Sequence, residues 1–321
     1  MYLLGIDTDA LAPQFDNAVP GRVLLLDGDA DCYKAASTAK TLDTAVRRFV
    51  KDVYEHMFMT NCSTVRIHLT AKHCRKANRE WYPTVKPYQG NRGGKPKPPL
   101  LEPLRIALAH RASLEDGSIP LDWTLFYHDY WEADDGIVMD SVYYKDNGVV
   151  WSEDKDLRLV PGPYHEIATG RNDYIDNPFG WVKMGATEGG ALSVKGHGTK
   201  FFWAQLLMGD SADNVKGITK LDGKLCGPAA AVDFVLPMQS EDEAANKILW
   251  AYAKNQQHFL PEAECLWLRR HAEDSAYNYI QSLDLDKPLR TWLEQQHAVH
   301  LKLFADKIEE ANEYNTDGED S

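Results

Sequence analysis

Acidic residues follow several apolar runs of this 321-residue chain, at spacings that would let their carboxylate oxygens bind a metal ion. They stand at the ends of RVLLLDGD (22–29) and GVVWSEDKD (148–156). They also stand near the start of YWEADDGIVMDSVYY (130–144), before an apolar run, and in MGDSADN (208–214). Carboxylates without His or Cys suit Mg²⁺ or Mn²⁺. The eight candidate metal ligands are Asp27, Glu132, Asp134, Asp135, Asp154, Asp156, Asp210 and Asp213.

A simpler interpretation applies to the acids of 130–144. Helix N-termini favour carboxylates by about 0.3–1 kcal/mol each, so Glu132, Asp134 and Asp135 also fit a well-capped helix with no metal. Asp154 and Asp156, two positions apart, lie on one face if their segment is extended. Both interpretations stay open unless acids from several segments converge.

The elements that would bring these acids together are buried strands. Continuous apolar runs that end in polar residues are typical of a parallel sheet, whose carboxyl edge binds ligands. A helical pattern at 41–58 lies between the first two runs, so strand and helix alternate and predict an α/β fold. The predicted strands are RVLLLDGD (22–29), STVRIHLT (63–70), DWTLFYH (122–128) and GVVWSEDKD (148–156).

The second part of the chain is predicted to be helical. From about residue 203 the pattern is mostly α, and Ser240 with Glu243 forms a capping box at the start of one helix. Residues 165–199 are glycine-rich without a clear period and are interpreted as an insertion.

Charge is distributed unevenly along the chain. The formal net charge of −13 argues against a nucleic-acid partner, because phosphate binding needs positive charge. Residues 72–105, however, carry nine Lys or Arg against two acids, while residues 306–321 carry seven acids and one lysine. The first segment predicts a basic nucleic-acid contact, and the second predicts a disordered acidic tail.

The segment KPYQGNRGGKPKPP (86–99) has four prolines, three glycines and four cations. This composition predicts a mobile basic loop and no packed element. Trp81, Tyr82 and Tyr88 are interleaved with the cations of this region and could stack on an unpaired 5′ strand, and a core position is the alternative for Trp81.

The sequence disfavours a membrane protein and a disulfide-stabilised protein. The longest apolar runs are far shorter than the roughly 18 residues that span a bilayer, and the N-terminus lacks the basic start of a secretion signal. Five cysteines without a CxxC pair argue against both a disulfide framework and a thiolate zinc site, and indicate a reducing cytoplasm. His297 and His300 are expected on a solvated helix.

The order of the motifs LLLDGD, YQGNR, EADD, SEDKD and GDSADN, followed by a glycine-rich turn, resembles the 5′-nuclease (flap endonuclease) superfamily. The closest resemblance is to the 5′→3′ exonucleases of short-tailed bacteriophages, over about residues 22–235. It implies a PIN-like α/β nuclease domain with a mostly parallel sheet, followed by a helical helix-three-turn-helix part that binds duplex DNA.

Domain limits follow from this resemblance and from the composition. The expected order is an N-terminal extension (1–21), a nuclease core (22–202), a helical DNA-binding part (203–305) and the acidic tail (306–321). Within the core lie a basic arch loop (about 72–105) and the insertion (about 165–199).

The resemblance implies a divalent-metal-dependent 5′→3′ exonuclease or flap endonuclease of phage DNA replication or recombination. By this resemblance, the eight acids listed above match the ligands of two Mg²⁺ or Mn²⁺ ions. A K⁺ ion is a candidate at the helix-three-turn-helix turn. RNA–DNA hybrids are a further candidate substrate. Expected catalytic cations are Arg75, Lys86 and Arg92. Expected DNA-binding residues are Tyr88, Asn91, Lys95, Lys97, Lys216, Lys220 and Lys224.

Three positions depart from the family pattern. Thr70 stands where an acid usually follows the second strand, and Gln89 replaces the lysine of a YKGNR-like motif. LCGPAAA (225–231) lacks the lysine of a GIGPK-type turn. These departures bear on the rate and the metal stoichiometry more than on the reaction.

Two other classes remain open. LLLDGD and GDSADN also resemble motifs of haloacid-dehalogenase-like phosphatases, although that mechanism needs neither EADD nor SEDKD. Thr70 and Gln89 also fit a structure-selective DNA-binding protein whose catalytic site has decayed. Cleavage of DNA, of a small phosphomonoester, or of neither distinguishes the three.

Overall fold

The computed structural model describes residues 17–93, 96–110, 119–120, 122–186, 190 and 192–316, together with a short strand pair at Tyr2–Leu3 (β1) and Ile6–Asp7 (β2). The chain forms two compact units. The first comprises Met1–Ala77 and Gly94–Asp176, and the second comprises Asn78–Gly93 and Asn177–Ser321. The chain therefore divides after residue 176, not after the predicted 202, and the YQGNR segment belongs to the second unit.

The described part of the first unit contains a six-stranded sheet in the order β5-β4-β3-β6-β7-β8. Its strands are Val19–Asp27 (β3), Cys62–Thr70 (β4), Thr124–His128 (β5), Gly148–Trp151 (β6), Gly162–Glu166 (β7) and Arg171–Ile175 (β8). All neighbouring pairs are parallel except β7 with β8. The predicted α/β fold with a mostly parallel sheet is confirmed.

The centre of this sheet is apolar because both of its faces are covered. Leu24, Leu25 and Leu26 of β3 are fully buried, as expected for a strand with helices on each side. The helices are Gly28–Thr38 (α1), Leu42–Thr60 (α2), Leu101–Ala109 (α3) and Ala133–Tyr144 (α4). The helix predicted at 41–58 is confirmed as α2, and Thr41 caps it by accepting a hydrogen bond from the Thr44 N–H.

The second unit is mostly helical and includes two short antiparallel strand pairs. Its strands are Trp181–Ala186 (β9), Leu192–His197 (β10), Gly209–Asp210 (β11) and Val215–Lys216 (β12). Its helices are Thr199–Met208 (α5), Pro228–Val235 (α6), Glu241–Lys254 (α7), Leu260–Leu266 (α8), Ala276–Gln281 (α9) and Lys287–Thr316 (α10). At the start of α7, the Ser240 hydroxyl accepts a hydrogen bond from the Glu243 N–H, as the capping box predicted.

Three expectations differ from the structure. The segment 165–199 is no single insertion, because its first part completes the main sheet as β7 and β8, and its second part forms the β9–β10 hairpin. The acidic tail continues as helix α10 to Thr316, and only residues 317–321 lie outside the described residues. His300 is 5% exposed rather than solvated, because its ring packs beside Tyr82 and Phe304.

None of the helices in the described part of the chain combines the length and apolarity that crossing a bilayer requires.

Candidate active site

The carboxyl end of β3 holds Asp27 in a fixed orientation. Asp27 caps α1, and its Oδ1 accepts a hydrogen bond from the Asp29 N–H at 3.1 Å. Its Oδ2 accepts a hydrogen bond from the Ser152 hydroxyl at 3.1 Å. This contact follows from the sheet register, because Leu26 pairs with Trp151 and the next residues of β3 and β6 therefore lie side by side.

Ser152 also organises the segment after β6. Its hydroxyl accepts a hydrogen bond from the Asp154 N–H at 3.0 Å, and Asp154 Oδ1 in turn accepts one from the Asp156 N–H at 2.9 Å. The expected extended segment is in fact a tight turn that leads into a short 3₁₀ helix, Lys155–Arg158. Asp27 and Asp154, from different strands, are thus linked through one hydroxyl.

The third acidic segment lies at the start of α4. Asp135 is fully buried, and its Oδ2 accepts a hydrogen bond from the Glu132 N–H at 3.2 Å. Asp135 therefore has the helix-capping role that the simpler interpretation predicted. Thr70, at the end of β4, adds a second cap, because its hydroxyl accepts a hydrogen bond from the Ala133 N–H at 2.9 Å.

Thr70 also connects to the first acidic segment. Its N–H lies 3.2 Å from both carboxylate oxygens of Asp29, and Asp29 is paired with Arg105 at 2.8 Å. The threonine that replaces the family acid thus fixes α4 and Asp29 at one sheet edge. In place of a further negative charge, this position supplies a hydrogen-bonding hydroxyl.

A buried polar network beneath α4 fixes the helix on the sheet. Asp140 of α4 accepts hydrogen bonds from Arg66 at 2.5 Å and from His68 at 2.9 Å, and His68 Nδ1 lies 3.0 Å from His128 Nε2. Gly136 allows this approach, since a Cβ there would lie 2.5 Å from His128 Nε2. Burial lowers the pKa of His128 to about 4, so its ring is neutral at pH 7.

The three acidic segments act on each other electrostatically. Burial, with smaller effects from the charges of Asp29 and Asp154, raises the pKa of Asp27 to about 7. Burial also raises the pKa of Asp134 well above its usual value, and Asp27 and Asp154 are the next causes, followed by Glu132. A cation bound among these carboxylates would reduce their mutual repulsion.

The donor set fits a hard divalent cation better than any other group. Carboxylate oxygens dominate it, as Mg²⁺ and Mn²⁺ require. Within the described ranges, no three Asp, Glu, His or Cys side chains stand close enough to form a finished ligand set. Mg²⁺ keeps several waters and takes one or two carboxylates directly, so an open arrangement of acids is compatible with it.

Asp210 and Asp213 belong to the second unit, where both support a loop. Asp210 Oδ1 accepts a hydrogen bond from the Ala212 N–H, and its Oδ2 accepts one from Gln205. Asp213 accepts hydrogen bonds from Arg92 at 2.7 Å and from Gln89 at 3.0 Å. The predicted ligands from this segment are therefore already engaged with neighbouring side chains.

The YQGNR segment is anchored on that same loop. Gln89 donates its N–H to the Asp213 carbonyl at 2.8 Å, and Asn91 donates its side-chain amide to the Ser211 carbonyl at 2.6 Å. The expectation of a loop without packed structure is wrong for residues 87–92, because these bonds fix it. Tyr88 is only 8% exposed, so its ring cannot stack on a base without moving.

The other predicted cations are mostly accessible. Lys216 lines an open cleft of about 460 Å³ together with Lys86, Asn91 and Asp210, all in the second unit. Arg75 lies over the Tyr130 ring at 5.2 Å. Lys97, Lys220 and Lys224 are exposed, and Lys95 lies outside the described residues.

Sequence reasoning missed the residues that join the acidic segments. Ser152 stands next to the quoted acids of SEDKD, but a serine in a loop gives no signal of its own. Asp29 is the second acid of LLLDGD, and the sequence pattern predicted no role for it. Its ion pair with Arg105 depends on α3, a helix that the sequence did not predict.

No protein-family model and no curated protein matches the chain. Among solved structures, the bacteriophage T5 5′-exonuclease with bound zinc ions aligns with a TM-score of 0.47 at 14% identity, over 89% of this chain and 97% of that one. The bacteriophage T5 flap endonuclease, in a pseudo-enzyme–product complex with DNA and metal ions, aligns with a TM-score of 0.44 at 14% identity, over 89% and 98%.

Proposed function

We propose that the protein is a divalent-metal-dependent 5′ nuclease that hydrolyses DNA phosphodiesters from 5′ ends, as an exonuclease or at flaps. The single observation that carries this proposal is the meeting of three acidic segments at the carboxyl edge of the sheet. Burial and the charges of neighbouring acids raise the pKa of Asp27 and of Asp134, and a bound cation would oppose this rise. Asp27, Asp134 and Asp154 are the ligands that we assign first.

Two divalent ions held there would activate a water and stabilise the leaving oxygen of the phosphodiester. The protein's own contribution is to fix the acids before substrate binds. Ser152 links the carboxylate of Asp27 to the backbone of Asp154, and Thr70 fixes the start of α4, which carries Asp134. Such supporting bonds around a metal site typically affect metal affinity or activity by 10–100-fold.

DNA binding is assigned to the second unit. Lys86, Asn91 and Lys216 line one cleft, and Lys220 and Lys224 are exposed in the turn that follows. Ammonium groups of this kind bind phosphates and release counterions, so affinity should fall steeply with salt. Arg92, half exposed beside Asp213, has a guanidinium that can bind a phosphate bidentately, and we assign it to catalysis and not to affinity.

The finer assignments rest on the motif resemblance. These are Mg²⁺ as the physiological ion, a K⁺ ion at the turn that precedes α6, RNA–DNA hybrids as a further substrate, and a role in phage DNA replication or recombination. The phosphatase alternative is less compatible with the site, because that mechanism needs neither Asp134 nor Asp154, and burial with the charges of Asp27 and Asp154 raises the pKa of Asp134.

The experiment is cleavage of 5′-labelled duplex DNA and 5′-flap DNA by the purified protein, with Mg²⁺ or with a chelator. We expect Mg²⁺-dependent release of short 5′ products and no hydrolysis of a small phosphomonoester. Binding without cleavage would favour the decayed DNA-binding protein. Hydrolysis of the phosphomonoester alone would favour the phosphatase.

A further inference from the structure

The hairpin formed by β9 and β10 presents an unusual face to solvent. Its strands pair so that Lys183 lies directly opposite Lys195, and both lysines are exposed. Trp181 precedes them on the same face and is 41% exposed. We refer to Trp181, Lys183 and Lys195 as the hairpin face.

The two lysines destabilise the hairpin, because their like charges lie directly opposite each other. Cβ atoms of directly opposite residues lie about 4.5–5.5 Å apart, and like charges there destabilise a sheet. In the described part of the chain, neither Lys183 nor Lys195 forms an ion pair with an acid. The stem of Lys195 runs over Gly185, where an added Cβ would lie 2.9 Å from Lys195 Cγ. Two adjacent ammonium groups that have no acidic partner among the described residues suit an anion with more than one charge.

Trp181 adds an aromatic surface to these charges. The Lys183 ammonium lies 4.9 Å from the centre of its ring, and His197 contacts the ring edge at a centroid distance of 5.2 Å. A large aromatic side chain left partly in water needs a reason, since Trp is usually mostly buried. A partner that combines phosphates with flat rings would cover both the cations and the indole.

The opposite side of the hairpin is packed, which makes the face rigid. Val182 and Val194 are 2% and 6% exposed, and the hairpin contacts α5 and α6. Glycine is required at the base of the hairpin, because Gly180 and Gly198 have φ values of +71° and +72°. The backbone that carries the three side chains is therefore ordered before a ligand binds.

We propose that the hairpin face binds a single-stranded segment of DNA, with phosphates on Lys183 and Lys195 and an unpaired base stacked on Trp181. This inference rests on the proposed function and extends it to a surface that carries none of the motifs on which the resemblance depends. Charge complementarity selects a polyanion, and the exposed indole selects one with unpaired bases. The face would hold substrate strand without taking part in hydrolysis.

The test measures binding of fluorescently labelled single-stranded and 5′-flap DNA to the full chain with a chelator present, over a series of salt concentrations. The variants are the double substitution Lys183→Ala/Lys195→Ala and the single substitution Trp181→Leu. The matched control is Lys254→Ala/Lys302→Ala, which removes two exposed lysines from α7 and α10 of the same unit. Circular dichroism checks that every variant is folded.

We expect the Lys183/Lys195 double variant to lower the slope of log affinity against log salt by about 1.4 for single strands, since each phosphate contact contributes about 0.7. Trp181→Leu should weaken single-strand binding by about 5-fold or more, because stacking contributes roughly 1–3 kcal/mol per base. The control should keep the wild-type slope, and single-turnover cleavage at saturating DNA should be unchanged in all variants.

If the wild-type protein binds and cleaves DNA, and both hairpin variants bind DNA with the affinity and salt dependence of the wild type, this proposal is overturned. The proposed function would not be affected by that result. The proposal also fails if the hairpin variants lose cleavage rate at saturation and keep their affinity. A wild-type protein that binds no DNA would overturn the proposed function together with the hairpin face.

Discussion

Ser152 donates a hydrogen bond of 3.1 Å to Asp27, and so connects the ends of two neighbouring parallel strands. The same hydroxyl accepts a hydrogen bond from the Asp154 N–H. Its oxygen atom therefore contacts both of these segments directly. If Asp27 and Asp154 bind metal, the separation of their carboxylates depends on it.

We predict that Ser152→Ala lowers divalent-metal affinity and cleavage rate by about 10- to 100-fold. Ser152→Thr keeps the hydroxyl and should retain most of both. Titration calorimetry with Mn²⁺ and single-turnover cleavage measure the two effects. Equal behaviour of the Ala variant and the wild type would show that the acids hold their positions without this hydroxyl.

Thr70→Val should loosen the start of α4, because Val is close in size and cannot accept the hydrogen bond from the Ala133 N–H. Loss of a helix cap costs about 0.5–2 kcal/mol of unfolding free energy, and cleavage should fall with it. Thr70→Ser is the matched control. Urea denaturation measures the stability, and a Val variant as stable and as active as the Ser variant would contradict this role.

The buried histidines predict a pH dependence of stability. The folded pKa of His128 is about 4, against an ordinary value of 6.5, because burial disfavours its charged form and His68 adds to the effect. The unfolded chain therefore binds more protons between these values. Stability is fully present above pH 6.5 and is lost as the pH falls towards 4, by an amount on the order of 3 kcal/mol at most for this group.

Urea denaturation of the wild type and of His128→Asn at pH 5 and pH 7 tests this dependence. We expect the wild type to lose more stability on acidification than the variant. Comparison of the two proteins cancels the effect of His300 in the second unit, whose pKa is also lowered to about 4. The same loss in both proteins would exclude His128 as a cause.

Arg92→Ala should reduce the single-turnover cleavage rate far more than DNA affinity. Its side chain is 55% exposed and pairs with Asp213, so a substrate phosphate can compete for it. An exposed ion pair contributes at most about 1 kcal/mol, and unfolding should be little changed. Arg92→Lys keeps the charge and serves as the control. Proportional losses of rate and affinity would make Arg92 a binding residue only.

The sequence predicted the elements whose signal is local. Continuous apolar runs identified β3, β4, β5 and β6, and the acids after β3 and β6 led to the prediction that Asp27 and Asp154 are metal ligands. Ser152 and Thr70 were not assigned these roles because their contacts arise from strand register, which no single segment encodes. The same reason explains the segment 165–199, whose short strands pair with distant partners.

The burial of individual side chains was also not predicted from the sequence. Tyr88 among cations looked like a base-stacking residue, yet its ring is buried. His300 was expected on a solvated helix, but its ring packs beside aromatic rings of its own unit. Sequence composition around a residue does not report which side of a helix or turn faces the core.

The most direct test of the acidic site is cleavage of 5′-labelled flap DNA in Mg²⁺ by Asp134→Asn, with Asp43→Asn as the control on a distant exposed helix position. We expect Asp134→Asn to lose essentially all cleavage and to bind DNA as well as the wild type or more tightly, because one repulsive charge is gone. Asp43→Asn should behave as the wild type. Undiminished turnover by Asp134→Asn would contradict the assignment of this carboxylate cluster as the catalytic metal site.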